Sequence, residues 1–238
     1  MPVDIFSNPT GTNLIRHSRN KEVWESERWV SRQLRFLELA RTGIFERECP
    51  LLEDVISKSD SVTLIDFGGG SGWLYHRVKS IGTEIDEYVN VESMNLHNRC
   101  PHENDDYTFI ELGKTGVRLN RMSKSVILYL NSVIQYLESD SDLVEIAKNF
   151  SPTRIILEDV TLSRFNEFFA LQLYYETNIP YRFVNQELLE VTMAQAGYGL
   201  SQKIPYNRNI ATGYAYGFKE KSSDFQIGET VSLEFTKL

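Results

Sequence analysis

Two cysteines, Cys49 and Cys100, are all that the 238 residues contain. They stand in no metal-type spacing, so neither a thiolate zinc site nor a disulfide framework is expected. A reducing cytoplasm is the simplest setting. Histidine is also scarce: His17, His76, His97 and His102 are the only four, and no metal-ligating cluster is found. No apolar run approaches the roughly 18 residues that suggest a membrane span, so no membrane insertion is expected. The N-terminal twenty residues lack a charged leader followed by an apolar stretch, so no secretory signal is expected. The formal charge of −8 and a pI near 5.1 leave little of the basic surface that a nucleic-acid binder needs. No internal repeat and no low-complexity tract is present.

What is present is an alternation of strands and helices. Residues 1–20 read as a loose polar arm. Residues 21–45 follow with Val23, Val30, Leu34 and Leu37 on one helical stripe, widened by Trp29, Phe36 and Ala40, and Gly43 as a stop. Short apolar, β-branched runs at 61–67, 87–92, 107–112, 124–132 and 153–159 read as strands. The fourth shows little alternation, so both of its faces should be buried. Helices are expected after the first strand, at 139–150, and behind Asn185 as N-cap with Gly197 as stop. Residues 163–183 are dense in aromatics (Phe165, Phe168, Phe169, Tyr174, Tyr175, Tyr181) and end in an extended Ile179–Pro180 step. Two late runs, "GLSQKIPY" and "ATGYAYGFK", come too close together for a helical crossover and should pair antiparallel. The expectation is an α/β, Rossmann-like fold. Its central sheet is mostly parallel, with helices on both faces and an antiparallel C-terminal edge hairpin. Residues 1–45 form an arm and capping helix and 46–238 the main domain, with an insertion at 160–184.

In such sheets ligands bind beyond the carboxyl ends of the strands, so the turn after the first strand is the place to look. It reads "LIDFGGGSGW", with Gly68, Gly70 and Gly72 in GxGxG spacing and Gly69 between them. A dinucleotide fingerprint would be GxGxxG, but its third glycine is replaced by Trp73. Asp66, directly before the loop, would repel a pyrophosphate and suits a cationic or hydroxyl-bearing ligand. S-adenosylmethionine offers an ammonium, a sulfonium and ribose hydroxyls, and no phosphate. The stretch resembles the hhDxGxGxG signature of class I S-adenosylmethionine-dependent methyltransferases at every defined position. Glu92 closes the second strand, where a carboxylate can bridge ribose hydroxyls. Glu111 or Leu112, after the third strand, would lie near the adenine.

A closer resemblance takes in "LIDFGGGSGWLY", "YVNVE", "ILYLNSVIQYL" and "LQLYYETNIPYRF". Together these are similar to a family of methyltransferase-like proteins found among bacterial surface-polysaccharide biosynthesis genes. The likeness spans about residues 60–218. It implies a cytoplasmic enzyme that uses S-adenosylmethionine, releases S-adenosylhomocysteine and acts on a small-molecule or glycan acceptor, with room for a homodimer. It adds Tyr75, after the glycine loop, and Asn131 and Ser132, at the end of the fourth strand, to the cofactor side. Asn131 and Ser132 stand where the family carries a Ser-Gly pair. Glu158-Asp159-Val160-Thr161 stands where similar sequences carry an Arg-Thr-Pro-like step.

Methyl transfer is an in-line displacement, so the chain must hold a nucleophile in attack geometry and, for a hydroxyl, supply a general base. The fourth-strand end faces the methyl in this fold, which makes Asn131 and Tyr136 catalytic candidates and Gln135 an acceptor-binding one. Asp159 and Glu158 are candidate bases. Gln172 and Tyr175, in the insertion, are expected on the acceptor side. A packed tyrosine and a capping asparagine are the plainer readings of Tyr136 and Asn131. For most of the aromatic stretch the plainer reading is a helix packed on the core or on a second subunit. His76 reads as an exposed or core-edge imidazole, and the other three histidines as solvated. The leading function is O-methylation of a sugar or glycan precursor. The alternatives are a small-molecule N- or O-methyltransferase of a natural-product pathway and a catalytically degenerate cofactor-binding homologue. An NAD-dependent dehydrogenase fits Asp66 and Trp73 poorly.

Overall fold

The computed structural model describes residues 5–10, 21–45, 47–100, 105–114, 119, 124–174, 177–206 and 225–238. Its elements begin with β1 (Ile5–Thr10), α1 (Lys21–Trp24), α2 (Glu27–Arg41), α3 (Pro50–Ser57) and β2 (Val62–Phe67). Then come α4 (Trp73–Ser80), β3 (Glu87–Glu92), α5 (Met94–Arg99), β4 (Tyr107–Glu111) and β5 (Ser125–Asn131). A 3₁₀ turn (Ile134–Tyr136) leads to α6 (Asp140–Phe150) and β6 (Arg154–Ser163). The chain continues through β7 (Phe168–Tyr174), β8 (Thr177–Phe183), α7 (Gln186–Gln195), β9 (Tyr198–Pro205) and β10 (Ile227–Lys237).

Seven strands form the main sheet in the order β4-β3-β2-β5-β6-β10-β9. The pairs among β2 to β6 are parallel, and β10 runs antiparallel to both β6 and β9. Strand order reverses at β2, which lies between β3 and β5, so a crevice opens at its carboxyl end. Each face of the sheet is covered. Leu128, Leu130, Ile155 and Leu157 pack with α6 and α7. Ile127, Tyr129 and Ile156 alternate onto the other face with α3, α4 and the end of α2. As expected, β5 is thus buried on both sides.

Several expectations change. The helix expected over 21–45 is two helices, because Ser26 starts a new one: its Oγ accepts the Trp29 amide at 3.3 Å. The arm carries β1. The antiparallel partner of β9 is β10, while the run at 211–219 lies outside the described residues, as do Tyr175, His17 and His102.

The aromatic stretch is a β-hairpin, not a helix. β7 and β8 pair antiparallel, and β1 joins β7 to make a second sheet, β1-β7-β8. Phe168, Ala170 and Gln172 alternate onto one face opposite Phe183, Tyr181 and Ile179. Phe168 and Phe183 stack at 4.4 Å between ring centroids. Pro180 is tolerated because β8 is an edge strand. Arg182, fully buried, ties the hairpin to the main domain through Asp140 at 2.9 Å and also faces Glu167 at 3.4 Å.

Candidate functional site

The glycine loop fills the crevice at the carboxyl end of β2. Gly68, Gly70 and Gly72 all have positive φ (70°, 57° and 72°) and turn the chain from β2 into α4. Gly69 is required for a different reason: a Cβ there would collide with Asp66 Oδ2 and Asn90 Oδ1. At Gly70 the missing side chain makes room for Gln33 of α2, whose Oε1 accepts the Ser71 amide at 3.4 Å. The capping helix therefore plugs into the loop with a polar side chain.

Beneath the loop sits a buried acidic cluster. Asp66 is 3% exposed and accepts the Tyr88 hydroxyl. Burial pushes its carboxyl up to about 7, with the Glu92 charge adding and the Tyr88 hydrogen bond and Arg47 opposing. Glu92 takes the Gly70 amide at 3.1 Å and the Ser93 amide at 2.7 Å. Burial raises its carboxyl too, against those two amides. Asn90 donates to the Gly70 carbonyl at 3.1 Å and to the Tyr107 hydroxyl at 2.8 Å. Its buried Oδ1 has no hydrogen-bond partner among the described residues. The cleft above the loop is lined by Gln33, Arg47, Asp66, Trp73, Tyr129 and Asn131 beside the glycines, with Arg47 as the cation among the described lining residues.

At the neighbouring ends of β5 and β6, Asn131 accepts from Arg47 at 3.3 Å and donates to the Tyr129 hydroxyl at 2.8 Å. Ser132 donates its hydroxyl to Asp159 and lies 3.2 Å from Asn131 Oδ1. Gln135 donates to the Asp159 main-chain carbonyl at 3.0 Å. Tyr136 donates to Gln172 at 2.9 Å, and its ring meets the edges of Trp24 (4.9 Å) and Tyr181 (5.6 Å). Asn131, Ser132 and Gln135, at and just after the end of β5, thus form one connected group with Asp159 of β6. Tyr136 and Gln172 join beside it.

Other candidates have different roles. Glu158, fully buried, accepts the Leu51 amide at 2.8 Å, the Leu52 amide at 3.4 Å and the Tyr129 hydroxyl at 2.6 Å. It serves the amino end of α3, where Cys49 gives no side-chain cap. Burial lifts its carboxyl to about 7. Tyr75 donates to Asp106 at 2.7 Å and packs edge-on against Tyr88 and Tyr107. Glu111 pairs with Lys114 at 3.1 Å and is not among the residues lining the cleft. His76 is shifted down, by burial first and by Arg41 second. His97 stacks on Phe109 at 3.7 Å rather than standing free in solvent.

Sequence reasoning missed Gln33, Arg47, Tyr88 and Asn90. Three were readable: Tyr88 and Asn90 stand with Glu92 at alternate positions of β3, so polar groups share one face of that strand. Gln33 interrupts the apolar stripe of α2. Arg47 carries no such signal. Among the described residues, no group of His, Cys, Asp and Glu could hold a metal ion, and no helix is long and apolar enough to cross a membrane.

No family model matches the sequence, and no curated protein matches it. Solved structures do match. The complex between the Haloferax volcanii Trm112 methyltransferase activator and a protein described as a methyltransferase aligns with 92% of this chain and 98% of that one (TM-score 0.53, 14% identity). An S-adenosylmethionine-dependent methyltransferase from Mesorhizobium loti aligns over 79% of this chain and 96% of its own (TM-score 0.52, 10% identity). LepI in complex with SAM gives a TM-score of 0.50 at 12% identity over 80% of this chain, which spans only 47% of LepI. At such identities the likeness is one of architecture. The chain has the Rossmann-like fold of the class I methyltransferases, with one antiparallel strand set into a parallel sheet.

Proposed function

We propose that the protein is an S-adenosylmethionine-dependent methyltransferase that O-methylates a sugar or glycan precursor, in a cytoplasmic step of bacterial surface-polysaccharide biosynthesis. One observation carries the cofactor reading: a glycine loop with no room for a Cβ at Gly69 lies directly over the buried Asp66 carboxyl. A pyrophosphate would meet that carboxylate, whereas an ammonium would be held by it. The unpartnered Oδ1 of Asn90 is a further acceptor, and so fits a ligand rich in N–H and O–H groups. Asp66 and the loop would hold the amino-acid end, Arg47 its carboxylate and Glu92 the ribose hydroxyls, with Glu111 at the adenine side. When bound, S-adenosylmethionine supplies an electrophilic methyl on a sulfonium and leaves as S-adenosylhomocysteine. The chain's own residues position the acceptor beside it: Asn131 and Ser132 at the end of β5, and Tyr136 with Gln172 at the hairpin. The glycan reading is supported by the resemblance of the glycine loop and of the 127–137 segment.

Thermal denaturation with S-adenosylhomocysteine tests the cofactor. A ligand selective for the native state at a hundred times its Kd stabilises by about 2.7 kcal/mol. NADH should give no shift. A shift with NADH, or none with millimolar S-adenosylhomocysteine, would overturn the proposal.

A further inference from the structure

We infer that Asp159 accepts the proton of the methyl acceptor, that Ser132 is its positioning residue, and that the reacting group is an uncharged hydroxyl; this rests on the methyltransferase reading above. Three non-glycine residues have positive φ among the described residues: Ser132 (56°), Ser151 (49°) and Asp159 (58°). Ser151 closes α6, where a left-handed residue is ordinary. The other two touch each other through Ser132 Oγ and the Asp159 carboxylate. Strained backbone of this kind persists where surrounding structure enforces it, and it clusters at active sites. A left-handed backbone favours glycine, yet the residue here is serine, and its hydroxyl reaches the acid.

The β6 register shows how the acid is presented. Val231 pairs with Val160 and Leu233 with Leu157, so β6 carries one extra residue at Glu158–Asp159. Such bulges re-aim side chains and are common beside active sites. Two consecutive acids are thereby separated in role. Glu158 is committed to the α3 amides and Tyr129. Asp159, 3% exposed, is held by Ser132 and by Gln135 on its carbonyl. Gln135 Oε1, buried nearby, has no partner among the described residues and is a second acceptor for a ligand hydroxyl.

A carboxylate beside the acceptor suits a hydroxyl, which is a weak nucleophile until a base takes its proton. In the step, the hydroxyl proton goes to Asp159 while the oxygen lone pair forms the bond to the methyl carbon of a sulfonium donor. The carbon–sulfur bond breaks, its electron pair stays on sulfur as a neutral thioether, and Asp159 later releases the proton to water.

The test uses the full chain with methyl-labelled S-adenosylmethionine and a panel of free hexoses, nucleotide-diphosphate hexoses, and primary and secondary amines. Hydroxyl acceptors should turn over, and Asp159→Asn should lower kcat by about 10²–10⁴-fold, with the S-adenosylhomocysteine Kd within threefold of wild type. The acid limb of the pH–rate profile should vanish in D159N and move to higher pH in S132A, because a lost donor raises a carboxylate's pKa. Without any ligand, the Asp159 carboxyl ¹³C titration should move the same way in S132A. Turnover confined to amines or of nothing in the panel, D159N within fivefold of wild type, or an unmoved titration in S132A would overturn the inference. Failure of wild type to bind S-adenosylhomocysteine would instead defeat the cofactor reading beneath it.

Discussion

Ser132 offers a way to separate backbone strain from side-chain chemistry at one position. Ser132→Ala removes the hydroxyl and keeps a Cβ on a backbone with φ of 56°. Ser132→Gly removes both. The lost hydrogen bond to the Asp159 carboxylate is common to the two variants, about 1.5–3 kcal/mol for a bond to a charged group. It cancels in their difference. What is left is the left-handed cost of a residue with a Cβ, about 1–2 kcal/mol, less the greater unfolded-state freedom of glycine, about 0.5–1 kcal/mol. S132G should therefore be more stable than S132A by about 1 kcal/mol, or about 2–4 °C in Tm for a chain of this size. Urea denaturation of both variants, with unchanged m-values, measures it. Equal midpoints, or S132A the more stable, would refute a left-handed Ser132.

Three other perturbations test the acids and the loop. The raised Asp66 carboxyl, at about 7, must lose its proton to hold an ammonium, so S-adenosylmethionine should bind about tenfold more tightly at pH 8 than at pH 6. Calorimetry should find that dependence flattened, and the affinity reduced, in D66N. Glu158 is also raised to about 7. Its native state favours the protonated form, so its contribution is fully present below the ordinary carboxylate range and is lost as pH rises through about 7. Between pH 5 and pH 7 that is about 2 kcal/mol, and E158Q should lack this slope in denaturation curves. Gly69→Ala should cost about 1–3 kcal/mol through overpacking against Asp66 and Asn90. It should also abolish the S-adenosylhomocysteine Tm shift, and a ligand response like that of wild type would contradict the close approach.

The parallel core was legible because strand runs such as 87–92 and 124–132 are short, rich in strand-forming residues and bounded by turns, and because burial of 124–132 on both faces removes its alternation. The hairpin at 168–183 was not. Its aromatics fit a helical stripe and a strand equally well, and Pro180 marked only a local extended step; the edge position of β8 explains how a proline sits in that strand. The long separation between β9 and β10 hid their pairing, since nothing local in either marks a partner across it. His97 read as solvated because its neighbours in sequence are polar, while its stacking partner Phe109 comes from β4.

By itself the sequence determined the alternation of elements, the glycine turn and the pairing of Asp66 with Glu92 as acids at two strand ends. Those are local properties, set by spacing, propensity and the conformations open to glycine. The tertiary structure alone decided what each acid contacts. It buried Glu158 under the amides of α3, turned Asp159 toward Ser132 by one extra residue in β6, and set Gln33 into the hollow at Gly70. Each depends on register or packing between segments distant in the chain, where a shift of one residue reverses the direction of a side chain.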